Sequence, residues 1–311
     1  MTVTIYAPAS IGNISVGFDL LGVAISPIDG ELLGDRVTVG AGTQGIILHL
    51  VGRWAHKLPE NPHDNIVYQC AEFFLNYLRE KQGLTIRLEK NLPIASGLGS
   101  SASSIVAALT ALNEYFAKPF SSFELLKLMG IFEGRISGSI HYDNVAPSYL
   151  GGMQLMLDST TRVSDSIPNF KHWFWLVAYS GIALSTAGMR NLVPNNFARE
   201  TTINFGRNLA NFVHASYRQD TKLAVAVLKD VLAEPYRAPE IPNFMRAKAA
   251  LAEIGVLATG VSGSGPTLFC VTDDMNIAQA AKDYLLQSFI HTKQGFVHIC
   301  RVDSQGARHR D

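Results

Sequence analysis

The sequence predicts an α+β protein. Strand-like and helix-like segments follow one another without a regular βαβ rhythm. A length of 311 residues, 47% hydrophobic, provides the core for two domains or one large one. No internal repeat or low-complexity tract points elsewhere. Lys and Arg balance Asp and Glu at 26 each, so no basic face for nucleic acid is advertised. Cys70, Cys270 and Cys300 are far apart, with no C-x-x-C pair; inert core thiols in a reducing compartment are expected rather than a disulfide framework or zinc site. The start MTVTIYAPAS lacks the basic and apolar regions of a signal peptide. No apolar run reaches the ~18 residues that span a bilayer. A cytoplasmic protein without a membrane partner is the expectation.

Taken in order, Thr2–Tyr6 alternates as a strand. Ala7, Pro8, Asn13, Gly17 and Asp19 then break the periodicity; Asn13 and Asp19 either shape turns or line a pocket. Arg36–Gly40 and Gly45–Leu50 read as strands. Within His63–Gln82, Ile66, Val67, Cys70, Phe73, Phe74, Tyr77 and Leu78 share one helical face. Leu84–Glu89 alternates as a strand. Ser121-Ser122-Phe123-Glu124 matches a capping box and opens a helix running to about Arg135. Glu133 sits near its end, where a carboxylate meets the negative pole of the dipole. It is either a solvated surface group or an acid with another use.

Gly138–Gly152 is aperiodic and polar and holds His141, Asp143 and Asn144. Gly151–Leu157 reads as a strand and Asp158–Asn169 as a linker, which divides residues 1–160 from 161–311. Trp173–Tyr179 reads as a buried strand, and Ser185–Leu192 as a short helix containing Arg190. Phe197–Tyr217 and Leu223–Leu232 read as helices. Glu234–Arg237 breaks the pattern before a helix around Asn243–Ile254. Val256–Val261, the loop Gly263–Thr267 and Leu268–Val271 read as strand, tight turn, strand. A helix over Asn276–Phe289 and a strand over Gly295–Val302 complete the chain.

The stretch Lys90–Ile105, KNLPIASGLGSSASSI, carries the strongest local chemistry. A strand-like run stops at Pro93, a glycine- and serine-rich loop follows, and Ile105, Val106, Leu109, Leu112 and Phe116 continue with helical spacing. Gly97 and Gly99 permit positive φ and a close backbone approach. The unpaired N–H groups of the first helical turn then favour an anion, typically phosphate. Ser100, Ser101, Ser103 and Ser104 add hydroxyls for phosphate or metal. No lysine stands where a Walker A loop requires one. Gly97–Ala102 fits G-x-G-x-x-A, which leaves a dinucleotide fold and an NAD-dependent dehydrogenase open. However, Pro93 interrupts the approach, and the nearest acid, Glu114, lies inside the helix.

Three stretches together carry a resemblance: PASIGN-x-x-x-GFD over Pro8–Asp19, P-x-x-x-GLGSSAS over Pro93–Ser103, and GSGPT over Gly263–Thr267. In this order the set resembles the three motifs of the galactokinase, homoserine kinase, mevalonate kinase and phosphomevalonate kinase (GHMP) superfamily, across nearly the whole chain. VYQ around Tyr68, the run from Glu133 to Met156, EPYR at Glu234–Arg237 and GFVHICR at Gly295–Arg301 look like the bacterial homoserine kinases.

The resemblance implies an N-terminal domain like one from a ribosomal small-subunit protein, and a ferredoxin-like C-terminal domain. The active site would lie between them. The implied reaction is ATP- and Mg²⁺-dependent phosphorylation of the L-homoserine side-chain hydroxyl, in threonine biosynthesis. Pro93, Ile94, Ala95, Ser96, Gly97, Leu98, Gly99, Ser100, Ser101, Ala102 and Ser103 would wrap the ATP phosphates. Ser100 and Glu133 match positions that hold Mg²⁺, and their hard oxygen donors suit it. Asn13, Asp19, Asp143, Asn144, Arg190, Arg237, Gly263 and Gly265 match substrate positions, the two arginines at the carboxylate. Catalysis is implied for Asp143, Asn144 and Glu133, with Asp143 either accepting the hydroxyl proton or anchoring the ammonium. Another GHMP-type kinase with a different alcohol substrate remains an alternative, as does a silent nucleotide- or RNA-binding module. A homodimer is left open.

Overall fold

The computed structural model describes residues 2–157 and 159–310. The chain runs β1 (Thr2–Pro8), β2 (Ser10–Gly12), β3 (Leu21–Pro27), β4 (Gly34–Gly42), β5 (Ile46–Val51), α1 (Ile66–Leu78), β6 (Gly83–Glu89), α2 (Ser100–Tyr115), α3 (Ser122–Ser137), α4 (Val145–Leu150), β7 (Met153–Met156), β8 (Ser164–Ile167), β9 (Phe174–Tyr179), α5 (Thr186–Asn191), α6 (Arg199–Arg218), α7 (Thr221–Val227), α8 (Glu234–Arg237), α9 (Phe244–Ile254), β10 (Ala258–Val261), β11 (Leu268–Thr272), α10 (Met275–Ser288), β12 (Phe296–Val302) and β13 (Arg308–His309). The class is α+β, as the irregular rhythm of the sequence predicts.

Two sheets organise it. The first has the order β13-β1-β4-β6-β5. Its apolar face packs under α1, α2 and α3 around Val37, Val39, Ile86, Phe74, Ile105, Leu109 and Phe132. The second has the order β10-β11-β9-β12-β3-β7-β8, with β2 on β3. Its β9 is buried on both faces: Trp175 and Val177 pack toward α6, while Leu176 and Ala178 pack toward α9 and α10. This explains its unbroken apolar run, a pattern of strands covered on both sides. β12 pairs with β3 and β13 with β1, so each sheet takes strands from both sides of residue 160.

β6 pairs antiparallel with β4 and parallel only with β5. The chain leaves α2 for α3 rather than for a neighbouring strand. The βαβ frame that a dinucleotide fingerprint needs is therefore absent around the glycine loop.

Several elements depart from the sequence reading. β3 is almost wholly buried, so it lacks the alternation that marks a half-exposed strand. Asp158, at the start of the expected linker, lies outside the described residues. Further along that segment, Ser164–Ile167 is a strand because β7 offers it an edge. α4 forms within the stretch expected to be aperiodic. The helix expected over Leu223–Leu232 stops at Val227, and Asp230 accepts N–H bonds from Leu232, Ala233 and Glu234 to begin the short α8. Glu234–Arg237 is thus a helical turn that tolerates Pro235 in its first positions, and not merely a break. All three cysteines are free and buried, and burial pushes their thiols well above the ordinary range. Among the described residues no helix is long and apolar enough to cross a membrane.

Candidate active site

The glycine loop links β6 to α2 at a cavity of about 660 Å³. Ala95, Gly97 and Gly99 hold φ of 55°, 81° and 65°. A Cβ on Gly97 would lie 2.4 Å from the Ser262 carbonyl, and one on Gly99 2.3 Å from the Ser10 hydroxyl. These two positions therefore require glycine for space as well as conformation. The loop is clasped by the turn between β10 and β11. The Ser262 hydroxyl donates to the Gly97 carbonyl at 2.7 Å, and Thr267 N–H to the Ser96 carbonyl at 3.1 Å. Gly99 is the N-cap of α2 and supplies no side-chain cap, so the first turn opens on the cavity without a side-chain acceptor from that residue.

Charged groups converge beside the loop. Asn13, Ile14, Ser15 and Asp19 all have positive φ, at 69°, 46°, 53° and 58°. For the β-branched Ile14 this is a strained conformation, of the kind that persists where tertiary contacts enforce it. Asn13 Nδ2 donates to the Gly263 carbonyl at 3.1 Å, and its Oδ1 accepts from Asp19 N–H at 2.8 Å. Arg190 on α5 grips Asp19 with two donors, at 2.5 and 3.4 Å. Arg237 on α8 is buried and donates to the carbonyls of Met189 and Gly263, at 3.2 and 2.9 Å, which fixes its fork beside the cavity. Burial pulls its pKa below the ordinary value, countered by Asp230, Asp19 and Asp143.

Asp143 is buried at the start of α4. It contacts His141 Nδ1 at 3.1 Å and accepts from Asn144 Nδ2 at 3.3 Å. Asn144 in turn accepts from the Ser10 hydroxyl at 3.0 Å. Burial disfavours the charged form of His141, but Asp143, followed by Glu133 and Asp19, outweighs it and holds the imidazole pKa above its usual value. Glu133, near the end of α3, is buried. Its Oε1 accepts from the Ser101 hydroxyl at 2.8 Å, and its Oε2 has no hydrogen-bond partner. Burial raises its pKa above the carboxylate range, against the pull of His141, Ser101 and Lys90. An orphaned buried carboxylate oxygen beside serine hydroxyls fits a hard cation.

The structure brings together most of the residues singled out from sequence. Asn13, Asp19, Ile94, Ala95, Ser96, Gly97, Gly99, Ser100, Ser101, Glu133, Asp143, Asn144, Arg190, Arg237 and Gly263 all line the cavity. Pro93, Leu98, Ala102, Ser103 and Gly265 are buried behind that lining. Leu98 and Ala102 belong to the two flanking cores, and Ser103 donates to the Ala7 carbonyl. Of the first two serines of α2, it is Ser101 that meets Glu133. The Ser100 hydroxyl donates to the Leu92 carbonyl at 3.3 Å. Sequence reasoning noted His141 in its polar stretch but gave it no role, because a lone histidine without metal spacing gives no signal, and it gave none to Lys90, which reads as the end of a strand. Both line the cavity.

Comparison with known proteins agrees with this geometry. Models of the GHMP kinases N-terminal domain and of the GHMP kinases C-terminal domain match residues 65–152 and 208–291. A homoserine kinase from Cytophaga hutchinsonii is 29% identical, with 99% of this chain and 96% of that one aligned at a TM-score of 0.88. An L. major mevalonate kinase solved with R-mevalonate is 18% identical, with 96% and 94% aligned at 0.69. A Methanococcus jannaschii mevalonate kinase is 16% identical, with 97% and 98% aligned at 0.71. At the lower identities the likeness is one of fold alone. With both family domains matched in order and the glycine loop, clasping turn and charged cavity in place, the chain belongs to the GHMP kinase family of small-molecule kinases.

Proposed function

We propose that this protein transfers the γ-phosphoryl group of ATP to the side-chain hydroxyl of L-homoserine, giving O-phospho-L-homoserine for threonine biosynthesis. One observation carries the choice of substrate. Two carboxylates, Asp19 and Asp143, and two guanidinium groups, Arg190 and Arg237, line one cavity beside the glycine loop. An α-amino acid offers a counter-charge to each kind; a hydroxy acid such as mevalonate offers one only to the arginines. The resemblance to a homoserine kinase supports the same reading.

Phosphoryl transfer asks mainly for alignment and charge neutralisation. The loop amides and the N-terminal dipole of α2 would seat the phosphates. Glu133, with the hydroxyls of Ser100 and Ser101, would hold Mg²⁺, which supplies further neutralisation of phosphate charge. Arginine forks would take the substrate carboxylate, and Asp19 and Asp143 its ammonium. In this arrangement Asp143 would orient the substrate, with Asn144, hydrogen-bonded to it, as the neighbouring polar group in the cavity.

ADP release measured with L-homoserine, mevalonate and galactose tests the reading. It stands if homoserine alone supports turnover and falls if either of the others is preferred. Asp143→Asn then separates two roles. An anchor raises KM for homoserine, whereas a base lowers kcat.

A further inference from the structure

Lys90 and Asp35 form an ion pair that the proposed reaction does not use. Lys90 Nζ lies 2.5 Å from Asp35 Oδ2, and neither side chain is more than 2% exposed. The ammonium has three protons and three partners: Asp35, the Ser100 carbonyl at 2.7 Å and the Ser104 hydroxyl at 2.9 Å. Although Lys90 borders the cavity, its three donors are all directed at protein acceptors.

Asp35 is equally committed. Its Oδ1 accepts from the N–H groups of Asn91 and Leu92 at 2.8 and 3.1 Å, and its Oδ2 also accepts from the Ser104 hydroxyl at 2.6 Å. Its own N–H donates to the Ser103 hydroxyl at 2.9 Å. Asn91 and Leu92 begin the glycine loop. Ser100, Ser103 and Ser104 form the first turns of the helix that ends it. One carboxylate and one ammonium thus tie both ends of the loop to β4.

We propose that Lys90 and Asp35 are positioning residues that hold the glycine loop in its phosphate-binding shape before any nucleotide arrives. The ligand in this inference rests on the ATP reading above. A buried ion pair adds little stability over a well-packed apolar pair, because both charges lose their water. Burial accordingly pulls the Lys90 pKa below its usual value. What the pair supplies here is geometry. A loop held at both ends presents its N–H groups without a further ordering cost on binding.

The test uses the full chain carrying Lys90→Met with Asp35→Asn. This removes both charges and keeps an acceptor for Asn91 and Leu92. Three quantities are read: the calorimetric Kd for Mg²⁺·AMP-PNP, the KM for L-homoserine at saturating ATP, and hydrogen exchange of residues 91–104 in the ligand-free protein. The brace predicts a Kd weakened about tenfold, the size expected if a residue or two must order on binding. Homoserine KM should stay within about twofold, and exchange should quicken in the loop but not in β1 and β4. Ser104→Ala, which removes one tie, should move the same quantities less, and it decides the matter if the double variant does not fold. Unchanged loop exchange and Kd in a folded variant would overturn the proposal. So would an equal loss for both substrates with faster exchange throughout the sheet. Should the wild-type protein bind no AMP-PNP, the ATP reading falls, and loop exchange in the free protein still judges the brace.

Discussion

α2 and α3 pack against each other and begin in opposite ways. α3 closes its first turn with a full capping box: Ser121 accepts from Glu124 N–H, and the Glu124 carboxylate accepts from Ser121 N–H at 2.9 Å. α2 begins at Gly99 in a left-handed conformation with no side-chain cap, although serines crowd the same turn. Those serines are engaged elsewhere. Ser100 donates to the Leu92 carbonyl, Ser101 to Glu133, Ser103 to the Ala7 carbonyl and Ser104 to Asp35. A closed helix end adds stability, whereas an open one keeps donors for a ligand at some cost in stability. The contrast separates a helix that holds the fold from one that serves the site.

The sharpest test of that contrast closes the open end. Gly99→Asp places an acidic cap where phosphate would sit, with its Cβ against the Ser10 hydroxyl. Nucleotide affinity should fall by about a thousandfold through like-charge contact and blockage, measured by calorimetry with AMP-PNP. Unaltered affinity would mean that this helix end is not where phosphate binds.

The far end of α3 comes next. Glu133→Gln should lower kcat by about a hundredfold, as removal of one electrostatic partner of a reacting group does. The same variant has a signature in stability. Burial raises the folded pKa of Glu133, so the wild type keeps its full stability below the ordinary glutamate range. It then loses stability as pH rises through the raised value and a buried carboxyl must ionise. The melting temperature of Glu133→Gln should therefore match wild type at low pH and exceed it at neutral pH. A variant less stable at neutral pH would show that the carboxylate is paired in a way that offsets its burial.

Smaller effects complete the series. Ser101→Ala removes the hydroxyl that links the two helices and should cost about tenfold in kcat/KM, the scale of a hydrogen bond to a charged group. Ser121→Ala removes a cap remote from the cavity. It should lower the melting temperature by about 2 °C and leave turnover unchanged. If it reduced activity as Ser101→Ala does, the distinction between the two helix ends would fail.

The sequence reading succeeds where the determinant is local. The Ser121–Glu124 box, the alternation of Leu84–Glu89 and the glycine loop before an apolar helix are each contained in a few adjacent residues. It fails where an element exists only because the edge of another strand receives it. β13 is two residues long and forms on β1, and β8 forms on β7. β3, almost wholly buried, carries no alternation to read. His141, noted only as part of a polar stretch, was given no role for a related reason: its place near Glu133 depends on how α3 and α4 meet.

From the amino-acid order alone came the α+β class, the loop built to approach an anion, and three spaced motifs that resemble the GHMP kinases. Tertiary structure alone decided the pairings. Asn13 reaches Gly263 across 250 positions, Arg190 reaches Asp19 across 171 and Lys90 reaches Asp35 across 55. It also turned Ser101 rather than Ser100 toward Glu133. Turns, caps and periodicity arise from neighbours along the chain. Which charge faces which is set by sheet pairing and helix packing, which no short stretch of sequence specifies.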